Sequence, residues 1–414
     1  MAVCLIWACA LTIAAHATTI TVTNTNDDGP GSLRDALTIA NDGDTIEATS
    51  ISGVIMLTSG ELLVNTSVTI NGAGADVLAI DGGMTSRVFR IVSSDLTVTI
   101  SGFTIRNGHA GTTGGGIDNE NSSTLTINDC TVSSNSAGLG GGIFNGGTLT
   151  IVDSTIIGNS ASTGGGTYND GAGTETISNS TFSGNTATPS GGGIFNINSI
   201  VVTNSTFSGN SAGFGGGIYN LGTVQIGDTI LNMSAISSSG TVTSLGYNLS
   251  SDNGGGFLTG PGDQINTDPL LGPLQNNGGS TFTHALLPGS PAIDTGDPNF
   301  TPPPFFDQRG SGFDRIVNGH IDIGSFEVQA QTVAIHLQAS KRKVRGVNTV
   351  RLSWSGATSS NIDVYRNGIV VATVSNTGAY TDSTGDTGRA RYTYKVCEAG
   401  TLTCSNEVTV AFRR

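Results

Sequence analysis

Charge is scarce in this chain of 414 residues, and lysine is scarcer still. Only 12% of residues are Asp, Glu, Lys or Arg, about half the share of an ordinary globular protein. No lysine precedes Lys341; the others are Lys343 and Lys395. Low charge excludes the usual disordered composition, which combines high net charge with few apolar residues. No stretch after the N-terminus has 18 continuous apolar residues, so no transmembrane helix is expected. No cluster of Cys and His has metal-ligand spacing, which argues against a transition-metal site and against any cofactor held that way.

The few charges are unevenly placed. Residues 1–331 hold six basic and 26 acidic side chains, a net of −20, whereas residues 332–414 hold eleven and five, a net of +6. An acidic body repels nucleic acid and anionic membranes, so neither is expected as a partner. The charge break also sets a domain boundary near residue 331.

Glycine is abundant, at 61 residues, and Thr, Ser and Asn crowd the sequence. Such a composition predicts many tight turns and many short strands. The N-terminus has the pattern of an export signal over residues 1–17: an apolar run from Ala2 to Ala15 ends in Ala15-His16-Ala17, a small-x-small cleavage site. The mature chain is then expected to start at Thr18 and to lie outside the cell or on its surface. Cys4 and Cys9 leave with that signal. Cys397 and Cys404 flank a short turn between strand-like runs, and an oxidising compartment predicts a disulfide across that hairpin. Cys130, inside a repeat, is expected to be a buried and inert thiol.

The repeat decides the architecture. "GGGI" occurs at Gly114–Ile117, Gly140–Ile143, Gly191–Ile194 and Gly215–Ile218, with a variant at Gly164–Thr167. "TFSGN" and its relatives end at Asn135, Asn159, Asn185 and Asn210, at spacings of 24, 26 and 25 residues. That period is too short for two packed helices, and the residues are poor helix formers. Runs such as "TLTI" alternate apolar and polar residues, as a strand with one buried face does. The expected fold is all-β: a right-handed parallel β-helix of about 25 residues per coil, followed by a C-terminal β-sandwich. Val132, Ile156, Phe182 and Phe207 should stack in the core. The repeated asparagines are expected at left-handed corners, hydrogen-bonded to one another along the axis. Within Gly31–Ile46, Ser32 as N-cap and Leu33, Ala36, Leu37 and Ala40 at helical spacing read as a short helix, expected to plug the first coil.

The phrase "FSGNSAGFGGGIYN" resembles the repeat of bacterial polymorphic outer-membrane proteins. Within residues 265–328, the stretches Ile265–Asp297, Asp307–Gly310 ("DQRG") and Asp322–Glu327 ("DIGSFE") resemble the choice-of-anchor Q domain of bacterial surface proteins. These resemblances imply an exported, surface-associated β-helix and no particular reaction. The domains read as 18–264, parallel β-helix; 265–331, C-terminal β-helix region and tail; and 332–414, seven short strands resembling a fibronectin type III sandwich. In that last domain Trp354 is a core residue and Asn367-Gly368 a hairpin turn. The cluster Lys341-Arg342-Lys343-Val344-Arg345 is read as a solvated charge run, or as a contact for an acidic glycan or for the acidic body.

Catalysis finds little support in the repeats. A polysaccharide lyase needs a base near a uronate proton, and a glycosidase needs two carboxylates flanking the bond. Residues 101–260 contain no Lys, one Arg (Arg106) and one His (His109). The acids there are scattered, Asp118 and Asp170 being the best-matched pair, two coils apart. A binding role fits better. Phe144, Tyr168, Phe195 and Tyr219 each follow an inward Ile or Thr, so strand alternation places them outward on consecutive coils. They would form an exposed row able to stack on sugar rings, unless a loop or tail covers them. The expected function is a non-catalytic surface or matrix protein, monomeric, that adheres to a polysaccharide or cell-surface glycan. The alternatives are a lyase or hydrolase with an atypical site, and a structural spacer.

Overall fold

The computed structural model describes residues 17–120, 122–329, 335–399 and 403–413. The expected export signal, with Cys4 and Cys9, lies outside the described residues except for Ala17. The chain divides into two compact units, Met1–Gln329 and Ala330–Arg414.

The first unit is a parallel β-solenoid. Its coils lay down three long sheets of ten, nine and eight strands. One coil runs from Thr124–Asn128 in the ten-strand sheet to Thr131–Ser133 in the nine-strand sheet. It continues to Ile143–Asn145 in the eight-strand sheet and returns at Thr148–Val152. Stacked copies pair in register: Leu125 lies opposite Leu149, and Ile127 opposite Ile151. All four are fully buried. Val132, Ile156, Phe182 and Phe207 are also fully buried, and the two phenyl rings stack with centroids 4.8 Å apart. This matches the spacing of successive coils, about 4.8 Å.

Glycine at the corners answers two separate constraints. Gly140 has φ of 65°, a conformation that disfavours side chains. At Gly141, an added Cβ would meet backbone oxygens of the next coil, Ser160 at 2.4 Å and Gly165 at 2.6 Å. The asparagine expectation needs a correction. The left-handed residues are one position earlier, at Ser134, Gly158, Gly184 and Gly209. Asn135, Asn159, Asn185 and Asn210 turn inward instead and are at most 2% exposed. Their side chains do form the expected ladder: each amide donates to the next Oδ1 at 3.0, 3.0 and 2.9 Å. Inside an apolar core only such pairing makes a primary amide tolerable.

Helix α1 (Leu33–Ile39) begins where expected, with Ser32 accepting from the Asp35 backbone at 3.1 Å. Leu33, Ala36 and Leu37 are buried in the solenoid core at its first coils. At the far end, a turn of 3-10 helix (Gly254–Gly256) precedes Leu258, which joins the same core.

Residues 265–328 do not continue as coils. They form a strap containing one antiparallel pair, Leu271–Gln275 with Thr283–Leu286, and pack against the outer face of the nine-strand sheet. Gln308 donates to Thr155 Oγ1 at 2.8 Å and accepts from Thr181 at 2.6 Å. Ser325 hydrogen-bonds Thr181 and Thr206, and Gly324 donates to the carbonyl of Asp228.

Among its described residues the second unit has seven strands. His336–Val344, Val347–Ser355 and Ala379–Thr387 make a three-strand antiparallel sheet. Asn361–Arg366, Ile369–Ser375, Ala390–Glu398 and Val408–Phe412 make a four-strand one. The two share a core that includes Trp354, Ile362, Val364 and Tyr394. Asn367 and Gly368 both have positive φ and join paired strands, as the turn chemistry requires. Cys397 and Cys404 form the expected disulfide.

Candidate functional site

The eight-strand sheet presents one outward position per coil. In register these are Leu63, Arg90, Asp118, Phe144, Tyr168, Phe195, Tyr219 and Ser237. The four aromatic residues therefore do line up on consecutive coils. Their rings stack in series, with centroids 5.5, 5.0 and 5.2 Å apart and interplanar angles of 12°, 7° and 18°. The row is less open than expected: Tyr168 and Phe195 are each only 9% exposed, and Phe144 and Tyr219 are half-buried. The coil spacing is the cause, because it brings each ring onto the faces of its neighbours. Only the end rings keep a face that is not stacked on another ring. That of Tyr219 lies toward the short Ser237, and that of Phe144 toward Asp118.

At the Asp118 end the row becomes ionic. Asp118 is fully buried, paired with Arg87 at 2.9 Å and bonded to Thr113 at 2.8 Å. Burial pushes its carboxyl up to about 6, against the pull of Arg87. Arg87 also pairs with Glu61, and Arg90 with Glu120.

Among the other acids of the repeats, Asp129, Asp153 and Glu175 are also committed. Asp129 accepts from Ser280 of the strap. Asp153 holds Asn179 at 2.5 Å, and burial raises it to about 7. Glu175 faces the core at 2% exposure, and burial raises it to about 8. Asp170 sits half-exposed in the turn after Asn169. Among the described residues, no group of three or more His, Cys, Asp or Glu is placed to hold a metal ion. Cys130 is fully buried, and burial pushes its thiol up to about 12.

Two structural devices escaped the sequence reading. A second asparagine ladder, Asn119–Asn145–Asn169–Asn196–Asn220, runs just behind the aromatic row with donor distances of 2.7 to 2.8 Å. Its signal was present, since Asn follows the aromatic in four of its five members. The strap's two motifs also meet in one buried network. Arg309 grips Asp307 at 2.5 Å, donates to the carbonyl of Glu327 at 2.6 Å, and lies between the rings of Phe313 and Phe326. Asp322 accepts from the backbone of Asp294 and Val328.

Two shallow depressions share His109, and no ring of the aromatic row lines either. One, about 430 Å³, is lined by Glu61, Arg87 and His109. The other, of about 400 Å³, is lined by His109, Ser136, Ser160 and Thr188.

Fold, ladders and corner glycines together define a capped parallel β-solenoid built from a single repeated coil. The family model of the Chlamydia polymorphic membrane protein repeat matches residues 179–197 and 204–221. These are two successive coils, each containing a buried Phe, a ladder Asn, a glycine corner and an outward aromatic. No curated protein and no solved structure matches the chain.

Proposed function

We propose that this chain is an exported, surface-exposed adhesion protein whose solenoid is a non-catalytic scaffold and whose eight-strand face binds glycan. The match to a membrane-protein repeat of Chlamydia supports surface display. The observation that carries the non-catalytic reading is the state of Asp118, which is fully buried and held by Arg87 and Thr113. A hydrolase needs carboxylates, and a lyase a base, that can reach the substrate.

The glycan reading rests on Phe144, Tyr168, Phe195 and Tyr219, and the stacking narrows it. A sugar ring stacks on an aromatic face, and the inner faces are occupied. Tyr219 is the ring on which a sugar would stack, at the end of the row. Mutual stacking of the rings favours a second reading, a structural spacer. In the second unit, three strands facing four support the fibronectin type III-like reading and a docking or spacing role. Burial of Asp307, Gln308, Asp322 and Glu327 supports reading the strap as a choice-of-anchor Q-like segment that stabilises the solenoid.

The test is incubation of the whole chain with neutral and acidic polysaccharides, assaying retained protein and newly released chain ends. Retention that Tyr219→Ala weakens supports glycan binding on this face. New chain ends overturn the non-catalytic reading, and the absence of both retention and new ends establishes the spacer.

A further inference from the structure

The second unit carries an unpaired cationic face of its own. Along His336–Val344 and Val347–Ser355, the inward residues Leu337, Val350 and Leu352 are at most 1% exposed. Arg342 and Arg351 are exposed on the opposite side. Register places Arg351 opposite Ser340, and Arg342 opposite Thr349 two residues along. The two arginines are thus diagonal neighbours on one face, roughly 7–8 Å apart at the backbone. On the next strand Thr381 lies opposite Arg351. These residues line a shallow groove of about 460 Å³.

Among the described residues, neither guanidinium has an ion pair or a hydrogen-bonded acceptor. Four of the five acids of this unit are occupied elsewhere, and the fifth, Glu407, is exposed and in no ion pair among the described residues. Asp382 takes Arg366 and the Tyr394 hydroxyl, Asp386 takes Tyr392, Asp363 takes Thr373, and Glu398 takes Thr358. Two planar, always-charged donors therefore stand without a counter-charge among hydroxyls.

We infer that this face binds an anionic polysaccharide through Arg342 and Arg351, at a site separate from the aromatic row of the solenoid. Guanidinium groups engage carboxylate or sulfate groups bidentately. Ser340 and Thr381 supply hydroxyl partners for sugar oxygens, and an open sheet face accepts an extended chain. Charge complementarity selects an acidic polymer, since this unit carries a net of +6. Single-stranded nucleic acid would need exposed rings for its bases. The one ring at the groove, Tyr380, packs on the core.

The test uses the whole chain on immobilised dextran sulfate, polygalacturonate and uncharged dextran. Expected are salt-sensitive retention on the acidic polymers only and weakening on the order of tenfold in Arg342→Gln/Arg351→Gln. Arg389→Gln/Arg391→Gln, which removes the same charge from exposed positions elsewhere, should bind as the parent does. Equal losses in the two double variants would reduce the site to net charge and overturn it. So would unchanged binding by the first variant, or stronger arginine-dependent binding to single-stranded DNA or anionic vesicles.

Discussion

Thr167 donates its hydroxyl to Glu175 at 3.1 Å inside the solenoid core. In the flanking coils the same two positions hold Ile143 and Ile194, and Leu149 and Ile200. A single coil thus carries a polar pair where its neighbours carry two aliphatic side chains. Glu175 Oε1 has no partner. Each change makes sense only with the other, because either group alone would be an unpaired polar atom in an apolar interior.

This pair predicts a pH dependence. Burial holds the Glu175 carboxyl near 8 in the folded chain, against about 4.5 when unfolded. The folded state therefore binds the extra proton, and stability falls as pH rises from about 4.5 to about 8. Asp153, Asp228 and Glu327, also raised by burial, act in the same direction. The thermal midpoint is expected to be higher at pH 5 than at pH 8. Thr167→Ile/Glu175→Leu should reduce the slope and stabilise by about 1–3 kcal/mol, whereas Thr167→Ile alone should destabilise. A steeper slope in the double variant would refute the assignment.

The inner ladder can be interrupted at one rung. Asn185 takes bonds from the Asn159 backbone and side chain and gives bonds to Ile156 and Asn210. Asn185→Leu leaves buried donors and acceptors unmatched and is expected to cost about 2–4 kcal/mol by denaturant titration. A neutral outcome would mean that water or a register shift satisfies the ladder.

Gln308 is the strap's anchor. Gln308→Ala removes its bonds to Thr155, Thr181 and Thr281. The expected result is about 2–3 kcal/mol of local destabilisation and faster proteolysis within residues 265–328, with the coils before Asp129 unchanged. Uniform unfolding of the whole unit would show that strap and coils are inseparable.

Within the aromatic row, position decides the effect. Phe195 is stacked on both faces, by Tyr168 and Tyr219. Phe195→Ala should cost about 3 kcal/mol, and Tyr219→Ala less. Glycan retention should respond most to Tyr219→Ala at equal folded fraction. The reverse ranking in thermal melts would place Phe195 outside the stack.

The solenoid was legible because one coil was written many times. A repeated period, an alternating strand and a recurring glycine corner specify the same fold at every copy. The core line Val132–Ile156–Phe182–Phe207 and the disulfide followed from the same local logic. The corners were misread by one residue, because Asn suits both a left-handed turn and a buried ladder. Only the stacking distance makes the ladder the better use. The row's low exposure was not legible either, since shielding arises between coils rather than within one. The strap's destination depended on residues far apart in sequence, such as Thr155 and Phe282, which meet across 127 positions. No local pattern states that they will meet.

The strap also works as a ruler. Gln308 spans Thr155 and Thr181, and Ser325 spans Thr181 and Thr206, so its two motifs are cut to a fixed number of coils. A second copy of residues 156–181 would push Thr206 one coil spacing, about 4.8 Å, further from Thr155. Gln308 and Ser325 could not then both keep their threonines, and amide exchange over residues 307–327 would rise. Among the described residues, no hydrogen bond from the strap reaches a coil before Asp129. A whole coil added ahead of Asp129 is therefore expected to leave every strap bond in place, whereas one added among Thr155, Thr181 and Thr206 breaks some of them.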